Sequence, residues 1–174
     1  MVNSKNLYSE LQLINNLVFK TCGIGLTNIK TESESQEYFA HTFQLDGQNV
    51  IYRKAKITPT KTGQFVTIWK RDENGITKPF DITDDFEFII IATRRETDFG
   101  IFIFPKKVLL DNKIISYKSK DGKRGIRVYP TWDLTTNQQA QKTQYWQSEY
   151  FLEISQQQNI DLVKAQLLLN LNKS

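Results

Sequence analysis

The sequence is poor in the residues that build disulfide-linked or zinc-stabilised proteins. Its 174 residues include a single cysteine, Cys22, and a single histidine, His41. One cysteine excludes an internal disulfide and a zinc site made of several thiolates, and one histidine excludes sites built on paired histidines. Stability must therefore come from a packed core, for which 39% hydrophobic and 12% aromatic residues suffice.

Recognisable catalytic motifs are missing as well. The sequence has no glycine-rich phosphate loop and no nucleophile elbow. A serine or cysteine triad would have to rest on His41, which alternates with Phe39 and Phe43 along a predicted strand. We interpret His41 as a half-buried structural residue, so the pattern argues against this class of enzyme.

Long hydrophobic runs are also absent. No apolar segment approaches the roughly 18 residues of a membrane-spanning helix, and the apolar run at 88–92 is far shorter. The first thirteen residues lack a basic stretch followed by an apolar one, so we expect no signal peptide, no membrane insertion and a cytoplasmic location. The length predicts one domain over 1–174.

Hydrophobic periodicity predicts a helix, six strands and two further helices. The first helix is expected over about 5–21, capped by Asn3 or Ser4. Strands are expected at 38–45, 49–57, 63–71, 85–93, 100–104 and 124–130, with a helical turn at 107–112. Helices should then run from Thr135 or Thr136 to about Ser155 and over 160–171, the last through Ile160, Val163, Leu167 and Leu171.

These elements predict an α/β (α+β) fold. A central mixed, mainly antiparallel sheet would be flanked by an N-terminal helix and two C-terminal helices. The strand at 85–93 is apolar at nearly every position, which predicts the centre of the sheet. Asp46-Gly47 and Asn74-Gly75 predict tight turns between neighbouring strands.

Basic residues are concentrated in two stretches of the chain. The net charge is only +4, yet residues 51–71 carry six basic groups and no acid, and residues 94–127 carry ten basic and four acidic groups. Such segregation suggests a polyanionic partner, DNA or RNA, if folding brings the stretches together. The alternative is that these cations are scattered, solvated surface residues.

Aromatic side chains accompany the basic ones, which is typical of a nucleic-acid surface. Lysine and arginine bind phosphates, and flat rings stack on bases. The glycines of the 121–125 segment favour a tight, exposed basic turn. For the aromatic members the alternative is core packing. The predicted nucleic-acid-binding residues are Arg53, Lys54, Lys56, Lys61, Trp69, Lys70, Arg71, Lys106, Lys107, Lys123, Arg124, Arg127, Tyr129 and Trp132.

A metal-dependent nuclease is a second hypothesis. Such enzymes gather acids around Mg²⁺ near a lysine. Asp84, Asp85 and Glu87 open the predicted central strand, and Lys106 follows the next one. The alternative is that Asp84 and Asp85 are turn and strand-cap residues. Two residues before Lys106, however, stands Phe104 instead of an acid, so the site would be short of ligands. We therefore expect no metal or cofactor, with Mg²⁺ only under this alternative, in which Asp85, Glu87 and Lys106 would be catalytic.

Four blocks of the sequence resemble a known family of small bacterial proteins. They are AKITPTKTGQFVTIWKR (55–71), IFIFPKKVLL (101–110), GKRGIRVYPTWD (122–133) and TQYWQSEYF (143–151). In this order they are similar to the MepB-like family. The resemblance implies a restriction-endonuclease-like fold, nucleic-acid binding without an assigned reaction, and a genetic association with drug efflux.

Three functions therefore follow from the sequence. The first is nucleic-acid binding on a basic, aromatic-edged surface, without catalysis. The second is the Mg²⁺-dependent nuclease with a degenerate active site. The third is a protein-interaction or regulatory module linked to drug efflux, anchored by Trp146 and Tyr150 if these lie exposed one turn apart on a helix.

Overall fold

The structure, a computed structural model, describes residues 9–155 and 159–170. The predicted cap at Asn3 or Ser4 and the predicted helix end at Leu171 lie outside these residues. Four helices are described: α1 Ser9–Ile14, continued by a π-helical turn over Asn15–Phe19, α2 Lys106–Asp111, α3 Gln138–Ser148 and α4 Leu162–Asn170. The strands are β1 Leu26–Thr31, β2 His41–Leu45, β3 Gln48–Lys54, β4 Lys56–Thr58, β5 Lys61–Thr67, β6 Trp69–Arg71, β7 Thr77–Pro79, β8 Phe88–Arg95, β9 Asp98–Pro105, β10 Gly125–Val128 and β11 Phe151–Glu153.

A six-stranded mixed sheet forms the centre of the molecule, in the order β1-β2-β3-β8-β9-β11. Strands β3 and β8 are parallel, and every other neighbouring pair is antiparallel. In β8 the six residues from Phe88 to Thr93 are buried, because both faces of this strand are covered. The predicted mixed sheet and the central place of this strand are confirmed.

Each face of the central sheet carries its own apolar layer. On one face, α1 and α4 pack on the sheet through Leu11, Ile14 and Leu168. On the other face, α2 and a second sheet of three antiparallel strands, β10-β5-β4, cover β8 and β9. The residues of the small sheet that face this second layer are Val66, Ile126 and Val128. Its opposite face lies outside the core except at Phe65, which is partly buried and packs against this layer, with its ring centroid 6.2 Å from that of Tyr38.

Two predicted strands are each divided in the structure. The segment 49–57 leaves the central sheet after Lys54 and enters the small sheet as β4. The segment 63–71 is divided between β5, which belongs to the small sheet, and β6, which forms a separate hairpin with β7. The turn of that hairpin is at Asn74-Gly75, as predicted, and Gly75 has a positive φ of 77°. The edge strand β1 was not predicted, because five of its six residues are exposed and show no apolar alternation.

The C-terminal part differs most from the prediction. The helix expected to reach Ser155 ends at Ser148, because Phe151–Glu153 pairs with the edge of β9 as β11. In α4 the buried residues include Ala165 and Leu168, whereas Val163 and Leu167, which set the predicted spacing, are 69% and 65% exposed. Ile160, by contrast, packs against the first apolar layer. Among the described residues, no helix is long and apolar enough to span a membrane.

Candidate functional site

The basic residues of the 51–71 stretch do not form an open cationic surface. Five of the six are paired with carboxylates that stand elsewhere in the sequence and are brought beside them by folding. The expectation of a free, strongly positive stretch is therefore wrong, because sequence distance hid the acids that neutralise it. The pairs are Arg53–Glu32, Lys54–Glu10, Lys56–Glu37, Lys70–Asp84 and Arg71–Glu34.

Arg53 is the clearest correction. Its side chain is 1% exposed, its Nη1 lies 2.6 Å from a carboxylate oxygen of Glu32, and it donates to the carbonyl of Tyr52 at 2.9 Å. Burial lowers the pKa of the Arg53 guanidinium, while the charge of Glu32 opposes that shift. Arg53 cannot reach a ligand on the surface, so it is a structural residue.

Within the described residues, three of the ten basic residues of the second stretch, Arg94, Arg95 and Lys107, form ion pairs. Arg94 contacts Glu10, which holds Lys54 as well, and Lys107 contacts Asp111. The ammonium group of Lys106 donates to the carbonyl oxygen of Asp84 and lies 4.7 Å from the centroid of the Phe86 ring. The predicted phosphate contacts by Lys106 and Lys107 would have to compete with these partners.

Three of the predicted cations meet at one groove. Lys61, Lys123 and Arg127 line a cavity of about 540 Å³ beside β10 and α3. In residues 9–155 and 159–170, no ion pair involves any of the three. Arg127 donates to the hydroxyl of Thr58 at 2.7 Å, a bond that orients its guanidinium without cancelling its charge.

The wall of the groove opposite the small sheet is α3. Asn137 caps this helix by accepting from the backbone N–H of Ala140 at 2.8 Å. Gln147, which is buried, donates to the carbonyl of Arg127 at 3.0 Å and accepts from the N–H of Tyr129 at 2.9 Å. The helix is therefore fixed to the end of β10. The sequence analysis missed Gln147, because one amide among several glutamines carries no distinguishing signal.

A basic loop adjoins the groove. Lys118, Lys120, Lys123 and Arg124 are exposed along it, as the predicted basic turn required. The loop is held by hydrogen bonds from the N–H groups of residues 122 and 123 to Ser116 and Ile114. A Cβ at position 122 would lie 2.3 Å from the Ile114 carbonyl oxygen, so close backbone approach requires the glycine there. Arg124 donates to the carbonyl of residue 77 at 3.0 Å.

The predicted aromatic residues are placed differently from one another. Tyr129 lines the groove. Trp69 lies away from it in β6, with the Arg71 guanidinium 5.2 Å from its ring centroid. Trp132 packs edge-on against Phe151 in the second apolar layer, at 5.4 Å between centroids. Tyr129 is therefore the predicted stacking residue that shares a surface with the groove cations.

Trp146 and Tyr150, the residues predicted to anchor a protein interface, are partly buried in the fold. The ring centroids of Trp146 and Tyr150 lie 5.4 Å and 6.2 Å from that of Phe104. Trp146 also contributes to the groove wall. The neighbouring Tyr145, by contrast, is 76% exposed. The core-packing alternative accounts for Trp146 and Tyr150.

The acidic residues proposed for a nuclease do not gather. Asp84 is held by Lys70 and accepts from the N–H of Asp81, which makes it part of a turn. Asp85 is exposed, and Glu87 uses its backbone to pair with Asn49. Within the described part of the chain there is no group of three histidine, cysteine or acidic residues placed to hold a metal ion. His41 is fully buried, with Nδ1 2.5 Å from the Phe39 carbonyl oxygen.

Comparison with known proteins identifies the family. The family model described as MepB-like matches residues 32–153. The chain belongs to the MepB-like family. A solved structure titled "Crystal Structure of MepB" is similar to it with a TM-score of 0.74 and 32% identity, covering 90% of this chain and 99% of that one. No curated protein matches the chain.

The match of the MepB-like family includes the groove. Residues 32–153 span the small sheet, the basic loop and α3, and every residue that lines the cavity lies within this range. The helices α1 and α4 on the opposite face lie outside the matched range. The family assignment therefore concerns the part of the fold that carries the candidate site.

Proposed function

We propose that this MepB-like protein binds nucleic acid, DNA or RNA, at the groove between β10 and α3, and that it does so in the cytoplasm without catalysis. The observation that supports the proposal is a division among the predicted cations. Arg53, Lys54, Lys56, Lys70 and Arg71 are paired with carboxylates, whereas Lys61, Lys123 and Arg127 converge on one cavity without a carboxylate partner among the described residues.

The electrostatics of the groove suit phosphate. Backbone phosphates are bound through lysine and arginine charge together with short polar donors. Asn137 supplies such a polar group on the wall. The groove also lies beside the N-terminal turn of α3, whose peptide dipoles favour an anion. The exposed cations of the basic loop would extend the contact to about six phosphates.

The salt dependence of binding tests this proposal. With six phosphate contacts, log K for a duplex should fall against log salt with a slope of about −5, and for a single strand with a slope of about −4. The assay is fluorescence polarisation of labelled oligonucleotides from about 50 to 200 mM salt. If the wild-type protein binds neither the duplex nor the single strand at low salt, the proposal is contradicted.

A pair of charge-reversal variants locates the site. Lys61→Glu combined with Lys123→Glu should weaken binding of every sequence and reduce the salt slope by about 2. The matched control is Lys20→Glu combined with Lys30→Glu. Lys20 and Lys30 are exposed and lie outside the groove, with Lys20 just after α1 on the other side of the central sheet. Equal losses in both double variants would show only a general effect of net charge.

A further inference from the structure

The small sheet presents an outer face in which aromatic rings and cations alternate. Register places Phe65 of β5 opposite Arg127 of β10 and opposite Lys56 of β4, so these side chains share one face. Tyr129 follows β10 two residues after Arg127 and lines the same groove as Phe65. The buried positions Val66 and Val128 alternate with these residues and point into the core.

Glycines on the neighbouring strands determine where the two rings lie. A Cβ at Gly63 would be 2.7 Å from Cδ1 and Cε1 of Tyr129, and a Cβ at Gly125 would be 2.6 Å from Cζ of Phe65. Each ring therefore lies across a glycine of the adjacent strand, in space that a side chain would otherwise fill. Both rings are only partly buried and line the cavity, so each offers part of its surface to a ligand.

We propose that the nucleic acid bound at this face is single-stranded, with bases stacked on Tyr129 and Phe65 and phosphates held by Arg127, Lys61 and Lys123. This inference rests on the proposed nucleic-acid function and names its substrate class. In a duplex the faces of the bases are hidden in the stack, so flat side chains on a sheet reach them only in a single strand. Stacking does not depend on base identity, so binding should tolerate many sequences.

Arg127 links the two kinds of contact. It lies on the face between Phe65 and Tyr129, and its guanidinium is held by Thr58 at 2.7 Å and, more weakly, by the carbonyl of Thr62 at 3.4 Å. These partners are neutral, so the full positive charge remains for a phosphate. A cation placed between two rings is the arrangement that a strand with alternating bases and phosphates requires.

Three probes of one length separate stacking from charge. They are a single-stranded oligonucleotide, the duplex of the same sequence, and a strand in which abasic sugars replace the nucleosides and the phosphates are kept. We expect the wild-type protein to bind the normal single strand at least about 10-fold more tightly than the duplex or the abasic strand, because stacking contributes about 1–3 kcal/mol per base. Equal affinity for the normal and abasic strands would overturn the inference.

Substitution of Tyr129 provides the matching test on the protein. Tyr129→Leu should weaken binding of the normal single strand by about 5- to 150-fold, the equivalent of one stacked base. It should leave affinity for the abasic strand unchanged, which also shows that the variant is folded. Tyr129→Phe should retain binding, and Tyr145→Leu, at an exposed tyrosine outside the groove lining, is the control.

The outcomes distinguish this inference from the function on which it rests. Suppose that all three probes bind alike, that Tyr129→Leu has no effect, and that Lys61→Glu with Lys123→Glu still abolishes binding. The groove then binds phosphate without stacking, and only the present inference fails. If no probe binds the wild-type protein at low salt, the nucleic-acid function fails and the inference fails with it.

Discussion

Replacing Glu32 by glutamine should destabilise the protein more than replacing its partner Arg53 by methionine. The guanidinium of Arg53 is buried, and in the described residues its Nε has no hydrogen-bond partner, so Glu32 supplies its compensating charge. Glu32→Gln would leave that cation in the core with the Tyr52 carbonyl as acceptor. Loss of one partner of a buried pair costs about 3–5 kcal/mol, a large part of the roughly 5–15 kcal/mol that stabilises a domain.

The reciprocal substitution should cost less. Arg53→Met removes the buried charge and keeps the apolar bulk, while the Glu32 side chain, which is 29% exposed although its Oε2 is buried, can turn its carboxylate towards water. We expect a loss below about 1.5 kcal/mol. The double variant should be about as stable as Arg53→Met alone, which gives a coupling energy equal in size to the Glu32→Gln loss, about 3–5 kcal/mol.

Urea unfolding at pH 7, followed by tryptophan fluorescence, measures these free energies, and an unchanged m-value would show that the denatured state is unaffected. The reasoning is refuted if Glu32→Gln costs less than about 1 kcal/mol, or if Arg53→Met is the more damaging change. Arg53→Met should also retain nucleic-acid affinity, because its side chain does not reach the surface.

Three further outcomes follow from the structure. Burial raises the pKa of the Tyr52 phenol, so above pH 10 the unfolded state loses this proton first and the wild type should lose about 1.4 kcal/mol of unfolding free energy per pH unit relative to Tyr52→Phe. The same pH dependence of unfolding free energy in both proteins, measured by urea unfolding, would contradict this. Gly63→Ala should cost about 1–3 kcal/mol more than Gly75→Ala in the same assay. Both glycines have a positive φ, but only at Gly63 does a ring, that of Tyr129, occupy the position that the new Cβ would take. Asn137→Ala should cost about 1 kcal/mol through loss of the α3 cap, and an unchanged unfolding midpoint would argue against that cap.

Sequence reasoning worked best where one local signal agrees with the tertiary fold. The apolar run in β8 predicted the centre of the sheet, because a strand covered on both faces needs no polar side. The hairpin at Asp46-Gly47 followed from two residues that accept positive φ, and Leu45 pairs with Gln48 across it.

It failed where distant partners decide the structure. In α4 the spacing of Val163 and Leu167 is as helical as that of Ala165 and Leu168, so periodicity alone could not choose the buried face. The β11 segment pairs because the edge of β9 is beside it, which its own three residues do not reveal.

The candidate site was predicted in part for the same reason. The count of charges along the chain identified Lys61, Lys123 and Arg127 but could not separate them from Arg53, since the neutralising Glu32 is 21 residues away in sequence. Neither the sequence around Lys61 nor the identity of Gln147 indicated a groove, because α3 becomes its wall only after folding.

The link between the parallel strands β3 and β8 contains β4 and β5, where proteins commonly use a helix. A helix would bury a narrow stripe of side chains against the sheet and expose the rest of its surface to water. A sheet divides its residues strictly, one inward and the next outward. Under the proposed function, the outward residues of this segment would determine ligand preference and the inward residues would determine stability. Substitutions at the outward positions could then change which ligand is bound, while the inward positions continue to pack in the core.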